Sequence, residues 1–385
     1  METVKFEKSL EHVFNCLHVL GLVDLGIWTH YGTMSSRLKL FHMLNYTWSL
    51  LLLLSIFYLT YFDFATYWWP LDKDHQRLEM MEIISNAVCA VAMFVLPSFG
   101  LRGFPEQAVN IYGKFVGEKT HYSMDATHLT LSVITLGFTA FFASRSIILW
   151  NADDTAVDII EQYYNKSNTA SSTGSMTMHA LRYVHDAASV AQALTDLNMY
   201  LIRGLLIYWC YQLARIFERL TVDFAKRSDQ TNPYSAWMDF RDRYLTLRSH
   251  IIVTSRQMRY YVKALYIYDF FTIVYIVNSL LKETNGKFAL ISVAQLIPQL
   301  GFVVLLASSS SRLYEMAKNF VSTMEELTVS QAERMSETQK ADLSRACTFY
   351  LRNEIGLQMA GRIVEGNFAD GVAGAMGALI LITDK

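Results

Sequence analysis

Residues 47–59 read TWSLLLLLSIFYL, and this uncharged stretch lies at the centre of an apolar run that extends over 40–62. The hydrocarbon core of a bilayer is about 30 Å thick, and a helix crosses it with roughly 20 apolar residues. The run therefore predicts a membrane-spanning helix.

Six further runs bring the number of predicted spans to seven. They cover 83–101, 126–150, 187–209, 264–281, 288–308 and 369–383. The run at 187–209 carries Gln192, Asp196, Asn198 and Arg203, and is either a soluble helix or a span with a functional role. Charges inside a span usually face a bundle interior or water, and we favour the functional span. The predicted fold class is all-α, a polytopic membrane protein.

The composition agrees with a membrane protein and narrows the function. Of 385 residues, 52% are hydrophobic and 18% are charged, against about 25% charged in an ordinary soluble domain. A net charge of −2 excludes a strongly basic protein that binds nucleic acid through counterion release. The four cysteines and ten histidines lack metal-ligand spacing, so we expect no metal site, no cofactor and no disulfide framework. No catalytic residue is predicted.

Lysine and arginine counts predict the orientation. With the N-terminus inside, the inner stretches hold 24 basic residues and the outer loops hold 6, as the positive-inside rule requires. The predicted organisation is a cytoplasmic segment at 1–39, spans one to six within 40–309 with an inner helical loop at 210–263, a cytoplasmic helical region at 310–368 and a terminal helix at 369–385 that ends outside.

The two long inner stretches show the three- and four-residue spacing of amphipathic helices. Their recurring apolar residues are Leu213, Ile216, Phe217, Leu220, Trp237, Phe240, Tyr244, Leu247, Ile251, Leu313, Met316, Phe320, Met324, Leu327, Leu343, Cys347, Tyr350 and Leu351. These helices either pack on their own bundle or continue spans four to seven into the cytosol and build an intersubunit platform.

Seven spans, an inner N-terminus and long inner loops before spans five and seven resemble the insect gustatory receptors of the insect chemoreceptor superfamily. The likeness covers the whole chain and is best at Trp237, Arg241, Tyr244 and Leu247, before span five, and at 366–368, before the last helix.

The C-terminal signature of that family is not matched. A Thr-Tyr pair, five mostly apolar residues and a Gln-Phe pair are expected, whereas this chain has Gly377, Ala378, Asp384 and Lys385 at those places. The sequence therefore resembles a divergent member or a gustatory-receptor-like relative.

The resemblance implies a ligand-gated cation channel in the plasma membrane, a homotetramer or a heteromer with related subunits, surrounded by lipid. Its ligand would be a tastant or another small molecule, and it would not be an enzyme. The alternatives are a polytopic transporter and an orphan family member without taste function. A G-protein-coupled receptor is disfavoured because Asp-Arg-Tyr and Asn-Pro-x-x-Tyr are absent from the expected spans.

The ligand is expected in the outer half of the bundle, in an apolar pocket with a few polar groups. The candidate ligand-binding residues are Asn86, Thr139, Arg145, Gln192, Asp196 and Gln295. Each of them can alternatively serve only in hydrogen bonds between helices. Arg145 and Asp196 are a candidate ion pair, and Pro298, close to Gln295, is expected to kink span six.

The last span carries small residues at four-residue spacing, including Gly374. This face serves either close helix packing or the wall of a pore. In a pore, Leu381 and Ile382 would form an apolar constriction, and Asp370 would form an acidic ring that favours cations.

Overall fold

The computed structural model describes residues 10–20 except 12 and 19, 36–67, 101, 104, 108–111, 173–282, 286–359 and 362–363, and for some helical residues only the backbone. Five α-helices are bounded there: α1 (Ser36–Tyr67), α2 (Thr173–Gln230), α3 (Pro233–Lys282), α4 (Gly286–Ser330) and α5 (Glu337–Arg352). A 3₁₀ turn at Ala332–Arg334 links α4 to α5.

Helix α1 contains the leucine-rich run that was predicted to be the first span. The stretch Lys39–Tyr58 is long and apolar enough to cross a membrane, as is Leu296–Ser330 in α4. On α1, Leu44, Leu51 and Leu54 are each more than half exposed. An extended apolar surface of this kind is expected to face lipid or another protein rather than water.

Helices α2, α3 and α4 are much longer than a bilayer requires. Helix α2 has 58 residues, a length of about 87 Å at 1.5 Å per residue, and α3 has 50. The predicted spans four, five and six lie within α2, α3 and α4 respectively. The predicted inner loop at 210–263 is the remainder of α2 and the beginning of α3. Each helix therefore continues well past the predicted membrane boundary.

A tight turn joins α2 to α3 at Thr231 and Asn232. The Asn232 side chain accepts a hydrogen bond of 2.8 Å from the backbone N–H of Ser235, which caps the N-terminus of α3. Pro233 occupies the first helical position, where a missing N–H has no cost. The Asn232 cap and Pro233 therefore define where α3 begins after the chain reverses.

The three long helices pack together with defined directions. Trp209 contacts His250 and Arg203 contacts Asp269, so α2 and α3 are antiparallel. Tyr200 of α2 contacts Gln299 of α4. Farther along α2, Cys210 contacts Ser310 of α4, so α2 and α4 are parallel.

The inner parts of these helices share an aromatic core, which confirms the predicted apolar faces. Phe320 of α4 packs on Phe224 of α2 and stacks on Tyr244 of α3, with ring centroids 5.4 and 5.1 Å apart. Trp237 and Tyr350 pack on Tyr244 as well. The predicted residues that are buried are Leu213, Phe217, Leu220, Trp237, Tyr244, Leu247, Ile251, Leu313, Phe320, Met324, Leu343 and Cys347.

A short hairpin follows α5 and was not predicted. Strands β1 (Gln358–Met359) and β2 (Arg362–Ile363) pair antiparallel, and the backbone N–H of Gln358 donates to the Ser255 hydroxyl of α3 at 2.8 Å. A Cβ at Gly356 would lie 2.7 Å from the Ile363 side chain, so a larger residue there would require Ile363 to shift. All other elements that are bounded within the described residues are helices.

Candidate functional site

A charged cluster lies where α2, α3 and α4 meet inside the predicted spans. It consists of Tyr200 and Arg203 of α2, Asp269 of α3, and Gln299 and Phe302 of α4. Arg203, Asp269 and Gln299 are 1%, 4% and 3% exposed. Ionisable groups buried inside spans are rare and typically mark functional sites, so this cluster is the first candidate.

Hydrogen bonds link all three helices through the carboxylate of Asp269. Arg203 Nη2 donates to Asp269 Oδ1 at 2.5 Å, and Gln299 Nε2 donates to the same oxygen at 2.6 Å. The Tyr200 hydroxyl donates to Gln299 Oε1 at 3.4 Å. The cluster therefore couples the positions of α2, α3 and α4.

Two aromatic rings flank the guanidinium of Arg203. The Tyr200 and Phe302 rings stack with centroids 5.2 Å apart, and the guanidinium carbon lies 5.7 and 5.8 Å from them. Ring faces attract a cation most strongly where water is excluded. The positive charge is thus held by one carboxylate and two rings.

Part of the guanidinium remains unused by these contacts. Within the described part of the chain, Arg203 Nε and Nη1 are buried and have no hydrogen-bond acceptor. A buried donor left without an acceptor costs about 1–3 kcal/mol, and more when it is charged. These two nitrogens are therefore the hydrogen-bond donors of the cluster that could bind a ligand.

The guanidinium points towards the N-terminal end of α2. Helical side chains tilt in that direction, and Arg203 Nη2 contacts the sulfur of Met199, one turn earlier. Gln192 and Asp196 precede Arg203 by 11 and 7 residues on the same helix face, and Gln295 precedes Gln299 by one turn on α4. The charged cluster therefore lies directly inward of three predicted ligand-binding positions.

The predicted site residues differ in what the structure says about them. Gln192 and Asp196 lie on α2 and Gln295 lies on α4, as the predicted spans require. The structure describes the backbone of these three residues but not their side chains. The others fall wholly outside the described residues: Asn86, Thr139, Arg145, Asp370, Gly374, Leu381 and Ile382. The predicted Arg145–Asp196 pair and the pore therefore stay predictions.

Asp269 and Gln299 are site residues that the sequence analysis missed. Asp269 is a single carboxylate in the apolar run of span five, and Arg203 is the basic residue of span four. One acidic and one basic residue in two consecutive spans predict an ion pair, because each charge needs a partner in the membrane.

A second polar site lies at the inner end of span four. A cavity of about 600 Å³ is lined by Asn110, Ile111 and one face of α3, including Asp242, Ser249 and His250. His250 accepts a 2.8 Å hydrogen bond from Trp209 Nε1, and burial lowers the pKa of His250 to about 4. The imidazole is therefore neutral at physiological pH.

Comparison with known proteins gives the fold. No protein-family model matches the sequence, and no curated protein matches it. Among solved structures, the insect olfactory receptor OR5 from Machilis hrabei in complex with eugenol is similar over 100% of this chain and 99% of that chain, with a TM-score of 0.66 and 11% identity. A second structure of that receptor is similar over 99% of both chains, with a TM-score of 0.60 and 12% identity.

The likeness extends over the full length of both chains, so it describes the whole architecture rather than one shared motif. It confirms the all-α fold class predicted from the sequence, a bundle of seven membrane-spanning helices. At 11–12% identity the similarity establishes the fold, and this chain accordingly has the fold of an insect olfactory receptor.

Proposed function

We propose that this chain is a chemoreceptor of the insect type, a ligand-gated cation channel in the plasma membrane. The observation that carries the proposal is the similarity to an insect olfactory receptor along the entire length of both chains. The long continuous helices and the charged cluster within the spans add support, because a buried ion pair in a membrane usually serves a function.

The ligand of this receptor is a small molecule bound in the outer half of the bundle. The related receptor was solved with eugenol, a small aromatic compound, and eugenol is therefore the first probe to apply. Within the superfamily, the sequence likeness at Trp237, Arg241, Tyr244 and Leu247 favours a gustatory-receptor-like member. A tastant is the corresponding class of natural ligand.

The channel assembles as a tetramer of this chain or with related subunits, and the last helix lines its pore. Leu381 and Ile382 form the apolar constriction, Gly374 belongs to the small-residue face, and Asp370 attracts cations. The N-terminus is cytoplasmic, in agreement with 24 basic residues in the inner stretches and 6 in the outer loops.

The decisive experiment is electrical recording from the purified full chain in liposomes, first with eugenol and then with a panel of tastants. Leu381→Ser and Ile382→Ser should wet the constriction and give constitutive or more easily gated cation current. Leu54→Ser is the matched control, because Leu54 of α1 is 55% exposed and outside the proposed pore. Saturable uptake without single-channel events would instead identify a transporter.

Two further measurements test the arrangement of the chain. Tags at the N-terminus and within 328–336 should be reachable only after permeabilisation, whereas a tag after Lys385 should be reachable in intact cells. Labelling of an N-terminal tag from outside contradicts the proposed orientation and with it the receptor assignment.

The pocket is tested with Gln192→Ala and Gln295→Ala. Both should change the response to a ligand while surface expression stays near normal, and Gln331→Ala, at the turn after α4, should change neither. Loss of expression in both pocket variants without a separate defect in response would show that these residues only hold helices together.

A further inference from the structure

The charged cluster has donors that its own residues leave unused, and these donors have a defined direction. Arg203 Nη2 contacts Asp269 and Met199, whereas Arg203 Nε and Nη1 are buried without an acceptor in the described residues. A guanidinium offers five N–H donors in a rigid plane. The remaining donors require an acceptor from outside the cluster.

Buried leucines and two buried tyrosines of α3 pack on the inner side of the cluster. Leu205 and Leu206 of α2, Leu265 of α3 and Leu306 of α4 are each no more than 3% exposed and belong to the same buried core or its neighbourhood. Tyr261 and Tyr266 of α3 also lie near Arg203, but within the described residues no side chain accepts a hydrogen bond from Arg203 Nε or Nη1. An acceptor therefore approaches from the opposite side, where the guanidinium points and where the proposed ligand pocket lies.

The charge of the cluster selects the kind of acceptor. The carboxylate of Asp269 already balances the guanidinium of Arg203 at 2.5 Å, so the pair is neutral. An anionic ligand would add an uncompensated charge in a buried site, which is costly. A neutral oxygen, such as that of a ketone, aldehyde or ester, satisfies the donors without this penalty.

We infer that Arg203 is a ligand-binding residue, whose Nε and Nη1 groups donate hydrogen bonds to a neutral carbonyl-type oxygen of a small molecule with an apolar body. The oxygen lies at the inner floor of the pocket, beside the stacked rings of Tyr200 and Phe302. This inference rests on the proposed function, because it places the ligand in the same pocket. It adds a ligand class and a binding residue to it.

The test uses three phenylalkyl probes of similar size and a readout that needs no channel current. They are 4-phenyl-2-butanone, butylbenzene, in which the carbonyl is replaced by a methylene group, and 4-phenylbutyrate, which is anionic. Binding is measured as ligand-dependent thermal stabilisation of the purified full chain, since a ligand that binds only the folded state raises its stability. The wild-type chain should bind the ketone about tenfold or more tightly than butylbenzene, the factor expected for a hydrogen bond from a charged donor.

The variant for this test removes both charges at once, because removal of only one would leave a buried charge without its partner. Arg203→Met with Asp269→Asn retains an acceptor for Gln299 and should reduce the preference for the ketone to about twofold or less, the remainder expected without the charged donor. The matched control is Arg227→Met with Asp239→Asn, the same substitutions in an exposed pair between the same two helices. This control should retain the wild-type preference and also corrects for partitioning of the probes into detergent.

The wild-type measurement tests the inference even if the cluster variant does not fold. A diazirine derivative of the ketone supplies an independent test, and its cross-links should map by mass spectrometry to 199–203 or 299–302. The inference is overturned if the wild-type chain shows no preference for the ketone, if neither neutral probe binds, if 4-phenylbutyrate binds more tightly than the ketone, or if the cluster variant keeps the preference.

These outcomes separate the inference from the proposed function. Ligand-gated current that does not depend on Arg203 would leave the channel proposal intact and overturn the inference. Binding of the ketone that depends on Arg203, without current in liposomes under any probe, would support the inferred site and contradict the channel.

Discussion

Two ion pairs join the same two helices in opposite surroundings. Arg203 of α2 pairs with Asp269 of α3 within the predicted spans, where the side chains are 1% and 6% exposed. Arg227 pairs with Asp239 near the turn between the same helices, where the side chains are 46% and 52% exposed. The residue types are identical, so the two pairs differ in their surroundings rather than in their chemistry.

The difference shows that different interactions hold α2 and α3 together near the turn and within the spans. Near the turn, water solvates both charges, and the alignment of the helices depends on the Asn232 cap and on the aromatic core around Phe320. Within the spans, the charges are held by each other, Gln299, the sulfur of Met199 and two rings among the described residues. We therefore expect the exposed pair to be dispensable for the fold and the removal of one member of the buried pair to be strongly destabilising.

The largest expected effect is the removal of one buried charge. Asp269→Asn leaves the guanidinium of Arg203 buried without a counter-charge, which should lower the free energy of unfolding by about 3–5 kcal/mol. Asp239→Asn is the matched control and should change it by less than about 1 kcal/mol. Unfolding of the purified chain in detergent, followed by tryptophan fluorescence, measures both. Equal shifts for the two variants would contradict the contrast between the pairs.

Removal of both buried charges should restore most of this loss. Arg203→Met with Asp269→Asn leaves no uncompensated charge, and the double variant should unfold within about 1–2 kcal/mol of the wild-type chain, since buried pairs replaced together are often close to neutral. A double-mutant cycle from the single and double variants gives the coupling between the residues. An additive result, with the double variant worse than either single variant, would mean that the two side chains do not interact.

The inner core was predictable from the sequence because it depends on local spacing. Leu213, Phe217 and Leu220 follow each other at four and three residues, and a helix of 3.6 residues per turn places them on one face. All three are buried in the structure. The same reasoning identified Trp237 and Tyr244, which pack against each other.

The charged cluster was not predictable in the same way because it depends on register between distant helices. Arg203 and Asp269 are 66 residues apart, and they meet only because the turn at Asn232 reverses the chain and aligns α2 with α3. Spacing within one helix carries no information about that alignment. The continuity of α2 past the membrane boundary was left open for a related reason, since the apolar spacing of its inner part fits a separate helix equally well.

The pH dependence of stability is expected to involve another buried basic group, His250 of α3. Burial lowers the pKa of His250 to about 4, whereas an unfolded histidine titrates near 6.5. Between these values the unfolded chain binds a proton that the folded chain does not, so the stability contributed by neutral His250 is lost as the pH falls. At pH 5 the loss should be about 2 kcal/mol relative to pH 7.5.

His250→Gln isolates this effect, because glutamine still accepts the hydrogen bond from Trp209 Nε1 and does not titrate. Unfolding midpoints of both chains at pH 7.5 and pH 5 should show a smaller acid-induced fall for the variant. If the fall is the same in both, His250 does not titrate differently in the folded and unfolded chains.

The smallest expected effect belongs to the exposed pair, and it completes the comparison. Arg227→Met should lower the free energy of unfolding by about 0–1 kcal/mol at low salt, because water screens the attraction of the guanidinium to Asp239 and the side chains lose freedom when they pair. Raising the ionic strength to 1 M shortens the Debye length to about 3 Å and should remove even this difference between variant and wild type. The Asp269→Asn defect should persist at the same salt concentration, because ions do not screen a pair that is only 1% and 6% exposed. A salt-sensitive Asp269→Asn defect would indicate that water reaches the charged cluster, and the two pairs would then differ only in degree.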